Sequence, residues 1–150
     1  MNKNLIKLFC IAGILSIILV FNPYKLIIVS GNSMYPTFKN GQILLAKKVS
    51  TLNREDIVVA EDPFSFKIIK RVKFIPGDIY YSYISNNEIV YPVNTQYDFI
   101  NELMKHNVKL RKLTMNKNKY FLIGDNIENS EDSRSFGPID KENILYKIIQ

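Results

Sequence analysis

The chain has 150 residues, a net charge of +6 and a hydrophobic content of 47%, which suit about one domain with a core of its own. Its one cysteine, Cys10, excludes an internal disulfide framework and a CxxC metal site, and its one histidine, His106, lies in a polar stretch typical of the solvated surface, so a zinc enzyme is not expected. No nucleic-acid recognition motif accompanies the positive charge, which therefore indicates a basic surface attracted to anionic lipid headgroups rather than to nucleic acid.

The first predicted element is an apolar segment near the N-terminus. Residues 1–7 are basic, and residues 8–21 carry no charge. As a helix this stretch is roughly 21 Å long, shorter than a ~30 Å hydrocarbon core, but apolar residues continue on both sides and Lys7 and Lys25 could snorkel from its ends. A buried core helix and a cleaved signal peptide are the alternatives, although no small-x-small cleavage site follows the run. We expect an uncleaved transmembrane anchor over residues 8–27.

This anchor predicts where the rest of the protein lies. With the N-terminus inside by default, residues 1–7 are cytoplasmic and residues 28–150 form an extracytoplasmic domain of a single-pass plasma-membrane protein.

The remainder of the chain predicts a mostly β fold. Short apolar runs bounded by turn formers indicate strands, and a hairpin is expected around residues 85–87. Residues 98–104 suggest a short helix, and residues 110–118 are basic and irregular. The predicted strands are residues 43–46, 57–60, 64–74, 79–84, 88–93 and 120–123.

The longest of these strands, residues 64–74, contains a misplaced charge. Side chains alternate between the two faces of a strand, and the even-numbered residues are all apolar except Lys70. An ammonium on an apolar face costs free energy unless it is paired or loses its proton, and a lysine that loses its proton becomes a base. The apolar members of this face are Phe64, Phe66, Ile68, Val72 and Phe74.

Two loops offer partners for such a base. Residues 30–37, Ser-Gly-Asn-Ser-Met-Tyr-Pro-Thr, contain a flexible Gly and a Pro that fixes the exit, and could hold a serine hydroxyl and a backbone N–H toward one point. Residues 124–138 are dense in turn formers and short hydrogen-bonding side chains. Either loop could be an ordinary surface loop, the second with an Asp132–Arg134 ion pair, or a part of a catalytic site.

Three motifs occur in a fixed order. They are Ser-x-x-Ser-Met-x-Pro-Thr at residues 30–37, Lys-Arg-Val followed by Pro-Gly-Asp at residues 70–78, and Gly-Asp-Asn-x-x-x-Ser-x-Asp-Ser-Arg at residues 124–134. Together they resemble the type I signal peptidases, membrane-bound Ser/Lys proteases that remove signal peptides from exported proteins. The resemblance implies a signal-peptidase-like β-sheet catalytic domain, with a small β-rich cap over residues 79–119 and one preceding transmembrane helix.

The resemblance also implies a role for each polar residue. Ser33 would be the nucleophile and Lys70 the general base. Ser30 would add its hydroxyl to the Ser33 backbone N–H in an oxyanion hole, and Ser130 would orient the Lys70 amine. The supporting residues behind them would be Asp132 and Arg134, as a structural pair, and Gly124, Asp125 and Asn126.

The family's substrate groove has shallow apolar pockets for small residues, often alanine, at the −1 and −3 positions of the signal peptide. By the resemblance its walls would be Ile28, Val29, Met34 and Phe38 on one side and Ile68 and Ile69 on the other. The chain departs from the family at Glu55, where Gly is common, between Val72 and Pro76, where the usual glycine is missing, and at Ile127, where Arg is common.

The predicted function is therefore that of a serine endopeptidase that cleaves signal peptides, without metal or organic cofactor. Its expected partners are signal peptides of preproteins, the lipid bilayer and the secretion translocon, and not nucleic acid. A peptidase dedicated to one secreted or pilin-like cargo and an inactive membrane-tethered binding protein are alternatives. A self-cleaving Ser/Lys protease like the SOS-response repressors fits less well, because the chain has a predicted anchor and no DNA-binding helical domain.

Overall fold

The computed structural model describes residues 23–85, 88–90, 104–106 and 108–150, together with six positions of the N-terminal segment: Lys7, Phe9, Cys10, Ile11, Gly13 and Ser16. Among the residues so described, no helix is both long and apolar enough to cross a membrane. Most of the predicted anchor, residues 91–93 of the predicted hairpin and most of the predicted helix at residues 98–104 lie outside the described residues.

The described part of the chain is mostly β, as the sequence predicts. The strands are β1 (Tyr24–Ile28), β2 (Ile43–Lys48), β3 (Ile57–Glu61), β4 (Lys67–Phe74), β5 (Ile79–Ser85), β6 (Glu88–Val90), β7 (Leu110–Thr114), β8 (Lys119–Ile123), β9 (Ile139–Asp140) and β10 (Ile144–Ile148). A short helix, α1 (Ser133–Phe136), and two 3₁₀ turns, Ile127–Asn129 and Lys141–Asn143, follow β8 and β9.

Two sheets organise these strands. The larger is antiparallel and has the order β1-β2-β10-β3-β4-β8-β9, so that β10 lies between β2 and β3. The smaller has the order β6-β5-β7 and is built from the region between β4 and β8, where the small cap is expected.

The larger sheet is buried on both faces at its centre. In β3, Ile57 and Val59 belong to one apolar cluster, while Val58 and Ala60 belong to another. A strand buried on both sides reads as a continuous apolar run, which explains the uninterrupted sequence of β3. The second cluster also contains Val72 of β4, on the face that carries Lys70.

Three boundaries differ from the sequence prediction. The anchor was expected to reach residue 27, but Tyr24–Ile28 form strand β1, which pairs with β2 at the edge of the larger sheet. The predicted end of the anchor therefore lies inside β1. Residues 110–114, expected to be irregular, pair with β5 instead. The period-2 pattern of β4 extends in the sequence beyond the strand itself, which begins at Lys67.

The residues before Lys67 form a turn because Asp62 closes it. The Asp62 carboxylate accepts hydrogen bonds from the backbone N–H groups of Phe64 and Phe66, each at 2.9 Å. Phe64 and Phe66 are therefore not on the buried face, and their exposed fractions are 66% and 68%. The alternation predicted for β4 holds from Lys70 to Phe74, where the even-numbered side chains are buried.

Candidate active site

Ser33 and Lys70 meet although they lie 37 residues apart in the chain. The Lys70 Nζ and Ser33 Oγ atoms are 2.8 Å apart, which is hydrogen-bond distance. Lys70 is only 3% exposed, because β4 turns its side chain toward the buried face that also carries Val72. The structure thus brings together the two residues that the sequence singled out as base and nucleophile.

Burial lowers the pKa of Lys70 below its ordinary value of 10.5. Desolvation is the largest cause, since a charged ammonium loses its hydration among apolar side chains. The negative charge of Asp132 opposes this shift, and the positive charge of Arg134 adds to it. The net effect is a lowered pKa, which makes the neutral form of the amine more accessible than in a solvated lysine.

The loop that carries Ser33 is held in place from both sides. Asn126 donates its backbone N–H to the Ser33 carbonyl oxygen at 2.9 Å, and its side-chain amide to the Asn32 carbonyl oxygen at 3.0 Å. At the start of the loop, Gly31 adopts a φ of +89° and donates its N–H to the side chain of Asn40. The Ser33 loop, residues 30–37, is therefore fixed to the segment after β8 by direct hydrogen bonds.

Asp132 accepts hydrogen bonds from three other residues of the site. Its carboxylate is fully buried and accepts hydrogen bonds from the Gly124 N–H at 2.9 Å and the Ser130 hydroxyl at 2.7 Å. Arg134 donates to both carboxylate oxygens, at 2.8 and 2.9 Å, so the predicted Asp132–Arg134 ion pair is present. Burial by itself would raise the pKa of Asp132, but the hydrogen bonds from Arg134, Gly124 and Ser130 outweigh it and lower the pKa.

This arrangement changes the predicted contact of Ser130. The Ser130 hydroxyl donates its proton to Asp132. Ser130 and Lys70 are both within the described part of the chain, and no hydrogen bond joins them. A hydroxyl that donates to Asp132 keeps lone pairs with which it can accept from an amine. Ser30 is exposed, close in sequence to Ser33, and its side chain makes no hydrogen bond within the described part of the chain.

Gly124 lies where the first and third motifs meet. A Cβ atom at this position would be 2.1 Å from the Ser130 Oγ and 2.6 Å from the Ser33 carbonyl oxygen. Both distances are far shorter than van der Waals contact, so only glycine lets the end of β8 approach both serines.

A second polar network, which the sequence reasoning did not identify, connects the same segments. Arg71, the neighbour of Lys70, donates two hydrogen bonds to the Asp125 carboxylate, at 2.8 and 2.7 Å. Asp125 also accepts a hydrogen bond from the hydroxyl of Thr37, in the Ser33 loop. Desolvation by itself would raise the pKa of Asp125, but the hydrogen bonds from Arg71 and Thr37 outweigh it and lower the pKa. The alternation of side chains in β4 could have indicated a second network, because it places Arg71 on the face opposite to Lys70.

The predicted groove residues divide between the interior and the surface. Val29, Met34 and Phe38 are buried in one apolar cluster, against which Ile69 packs. Ile68 packs against the other cluster, on the opposite face of β4, and Ile28 is 68% exposed. Ile68 and Ile69 therefore do not form one continuous wall.

Comparison with known proteins defines the class of protein. The family model described as "Signal peptidase, peptidase S26" matches residues 2–149. The chain belongs to this family, and the predicted class of enzyme, a serine peptidase of the signal peptidase I type, is confirmed.

Individual relatives cover most of the chain. Signal peptidase I V of Bacillus subtilis is 35% identical over 90% of this chain and 92% of its own length. Signal peptidase IB of Staphylococcus aureus is 29% identical over 86% of this chain and 76% of its own length. The crystal structure of a signal peptidase I from Enterococcus faecalis V583 aligns with a TM-score of 0.43 and 22% identity, over 68% of this chain and 99% of that chain.

Proposed function

We propose that this protein is a membrane-anchored endopeptidase that removes signal peptides from exported preproteins, with Ser33 as the nucleophile and Lys70 as the general base. The observation that carries the proposal is the 2.8 Å distance between the Ser33 hydroxyl and the buried Lys70 amine. A buried lysine with a lowered pKa next to a loop serine is the pairing that acyl transfer requires.

The proposed reaction has two stages. Neutral Lys70 takes the Ser33 proton as the hydroxyl oxygen attacks the scissile carbonyl carbon, and it then gives a proton to the leaving amine. Water, activated by the same amine, next cleaves the ester between Ser33 and the signal peptide. The Ser33 backbone N–H and the Ser30 hydroxyl would stabilise the oxyanion in both stages.

The supporting residues keep this pair in position. Asp132 and Arg134 fix the Ser130 segment, and Asn126 fixes the Ser33 loop. We propose that the substrate lies along Ile28 and Ile68, with small side chains at its −1 and −3 positions.

The proposed location follows from the apolar N-terminal segment. Residues 8–21 would anchor the chain in the plasma membrane, with the catalytic domain on the extracytoplasmic face close to where signal peptides emerge from the translocon.

The test is cleavage of a model preprotein by Ser33→Ala and Lys70→Arg. Arginine keeps its proton at accessible pH and cannot act as a base, so both variants should lose at least about 10²-fold in kcat. Lys67→Arg, in the same strand but exposed, is the matched control and should keep normal activity. Circular dichroism confirms that each variant is folded, and normal cleavage by Lys70→Arg would refute the proposed base.

A further inference from the structure

The turn between β3 and β4 displays two phenylalanines to solvent. Phe64 is 66% exposed and Phe66 is 68% exposed, and only Ser65 separates them. Single exposed apolar residues are common, but two large aromatic side chains in one tight turn form a patch that calls for an apolar partner. We refer to residues 62–66 as the Phe loop.

Hydrogen bonds fix the conformation of the Phe loop. Asp62 accepts side-chain hydrogen bonds from the N–H groups of Phe64 and Phe66, and its carbonyl oxygen accepts one from Ser65 at 3.0 Å. Asp62 also donates its own N–H to the Phe66 carbonyl oxygen at 2.9 Å. Ser65 adopts a φ of +68°, a conformation that is costly for a residue with a Cβ atom. Four hydrogen bonds therefore fix the backbone of the Phe loop, and both aromatic side chains are exposed.

The strand directions place the Phe loop at a particular end of the sheet. Strands β1 and β10 run in one direction, while β2 and β3 run in the other. The loop that follows β3 therefore leaves the larger sheet at the end where β1 enters it. The apolar N-terminal segment joins the sheet at that same end, since Pro23 directly precedes β1 and is hydrogen-bonded to Lys48.

We propose that the Phe loop inserts Phe64 and Phe66 into the boundary between headgroups and acyl chains of the bilayer that holds the N-terminal segment. This inference rests on the anchor in the proposed function. The loop lies at the end of the sheet where the charge-free residues 8–21 are attached. Two lysines at this end, Lys48 and Lys67, are exposed and suited to lipid phosphates.

The insertion would set the height of the catalytic lysine above the membrane. From Lys67, next to Phe66, to Lys70 the chain runs along β4, and three residue steps of strand span about 10 Å at ~3.3 Å per residue. A bilayer contact at the Phe loop, together with the anchor, would give the sheet two attachment points. Two points restrict the tilt of the domain, whereas an anchor alone does not.

A fluorescence experiment tests the insertion directly, because the chain has no tryptophan. The full chain carrying Phe66→Trp is placed in phosphatidylglycerol-containing vesicles with brominated acyl chains, which quench tryptophan on contact. Ile79→Trp is the matched control, since Ile79 is 48% exposed and lies beyond the opposite end of β4. We expect bromolipid to quench the fluorescence of Phe66→Trp strongly and that of Ile79→Trp only a little. Acrylamide in the water phase should instead quench Ile79→Trp more strongly than Phe66→Trp.

Other results would overturn the insertion. Equal quenching of both tryptophans by bromolipid would show that the Phe loop has no preference for the bilayer. Protection of Phe66→Trp from acrylamide without bromolipid quenching would assign the loop to a protein partner or a second copy of the chain. Failure of the full chain to float with the vesicles would refute the anchor in the proposed function, and is distinguishable from the first two results.

A variant tests the consequence for catalysis. With Phe64→Ser and Phe66→Ser combined, cleavage of a short peptide in detergent should stay unchanged, while cleavage of a vesicle-bound preprotein should fall about tenfold, since small misplacements of a site have effects of this size or larger. Leucine at both positions should preserve most of the vesicle activity. An equal loss in both assays would place the Phe loop in the substrate site instead and would overturn the membrane role.

Discussion

The close approach of Gly124 to Ser33 and Ser130 makes Gly124→Ala the sharpest test of the site's construction. The new methyl group would lie 2.1 Å from the Ser130 Oγ, 2.6 Å from the Ser130 Cβ and 2.6 Å from the Ser33 carbonyl oxygen. Rotation of Ser130 could relieve the first overlap but not the other two. The backbone of the Ser33 loop must therefore move away from Gly124.

The structure sets the size of the expected effect. Gly124 does not have a left-handed φ, so alanine brings no backbone strain of its own and the cost is crowding alone. Such overpacking typically destabilises by about 1–3 kcal/mol. A displacement of Ser33 by about 1 Å relative to Lys70 would lower kcat by up to about 10²-fold, with a smaller effect on KM.

Urea unfolding and steady-state cleavage of a model preprotein measure the two effects separately. Gly124→Ala combined with Ser130→Gly is the informative companion, because it removes two of the three overlaps and leaves the one with Ser33. We expect the double variant to recover part of the lost stability and to remain slow in cleavage. Wild-type stability and wild-type kcat in Gly124→Ala would refute the close packing of the first and third motifs at Gly124.

Two further predictions concern charge. Burial lowers the pKa of Lys70 below 10.5. Between the lowered pKa and 10.5 the unfolded chain therefore binds more protons than the folded protein. Wild-type stability should rise with pH across that window. Lys70→Met should lose this rise and be more stable than wild type at lower pH; parallel stability curves of the two proteins would contradict it. Asp125→Asn should cost about 1.5–3 kcal/mol and reduce kcat more than it changes KM, because it breaks the paired hydrogen bonds to Arg71. Asp140→Asn, at the exposed ion pair with Lys119, is the matched control and should change stability by less than about 1 kcal/mol; equal effects of the two substitutions in unfolding and kinetic measurements would contradict a role for Asp125.

The sequence predicted the site better than it predicted the element boundaries. Lys70 could be identified because an isolated charge breaks an alternating apolar pattern, and its burial follows from the pleat of β4. The same pattern misplaced Phe64 and Phe66, since apolar periodicity cannot detect that Asp62 closes a turn through its side chain. Strand β1 was assigned to the anchor because an apolar edge strand and the end of an apolar helix have similar composition.

Contacts between polar residues that lie far apart in the chain could not be predicted, because no local sequence pattern indicates which distant residues meet. Asp125 was expected to lie in the supporting layer, but its partners Arg71 and Thr37 are 54 and 88 residues away in the chain. At Glu55, where the family commonly has glycine, the structure gives a reason for that glycine: the residue has a φ of +69°. Glutamate tolerates this conformation here while its carboxylate lies 3.8 Å from Arg71 and 3.7 Å from Lys73.

The position of β10 between β2 and β3 has a consequence for the order of assembly. Ile144–Ile148 follow all the other strands of the described part of the chain, yet they supply the hydrogen bonds that join the β1–β2 hairpin to the β3–β4 hairpin. The Ser33 loop lies between the strands of the first hairpin and Lys70 lies in the second. During synthesis the two halves can each form local pairs, but the strand that links them in the sheet is made last. A nascent chain would therefore hold its serine and lysine in separate units until β10 is inserted, which delays peptidase activity until the domain is complete.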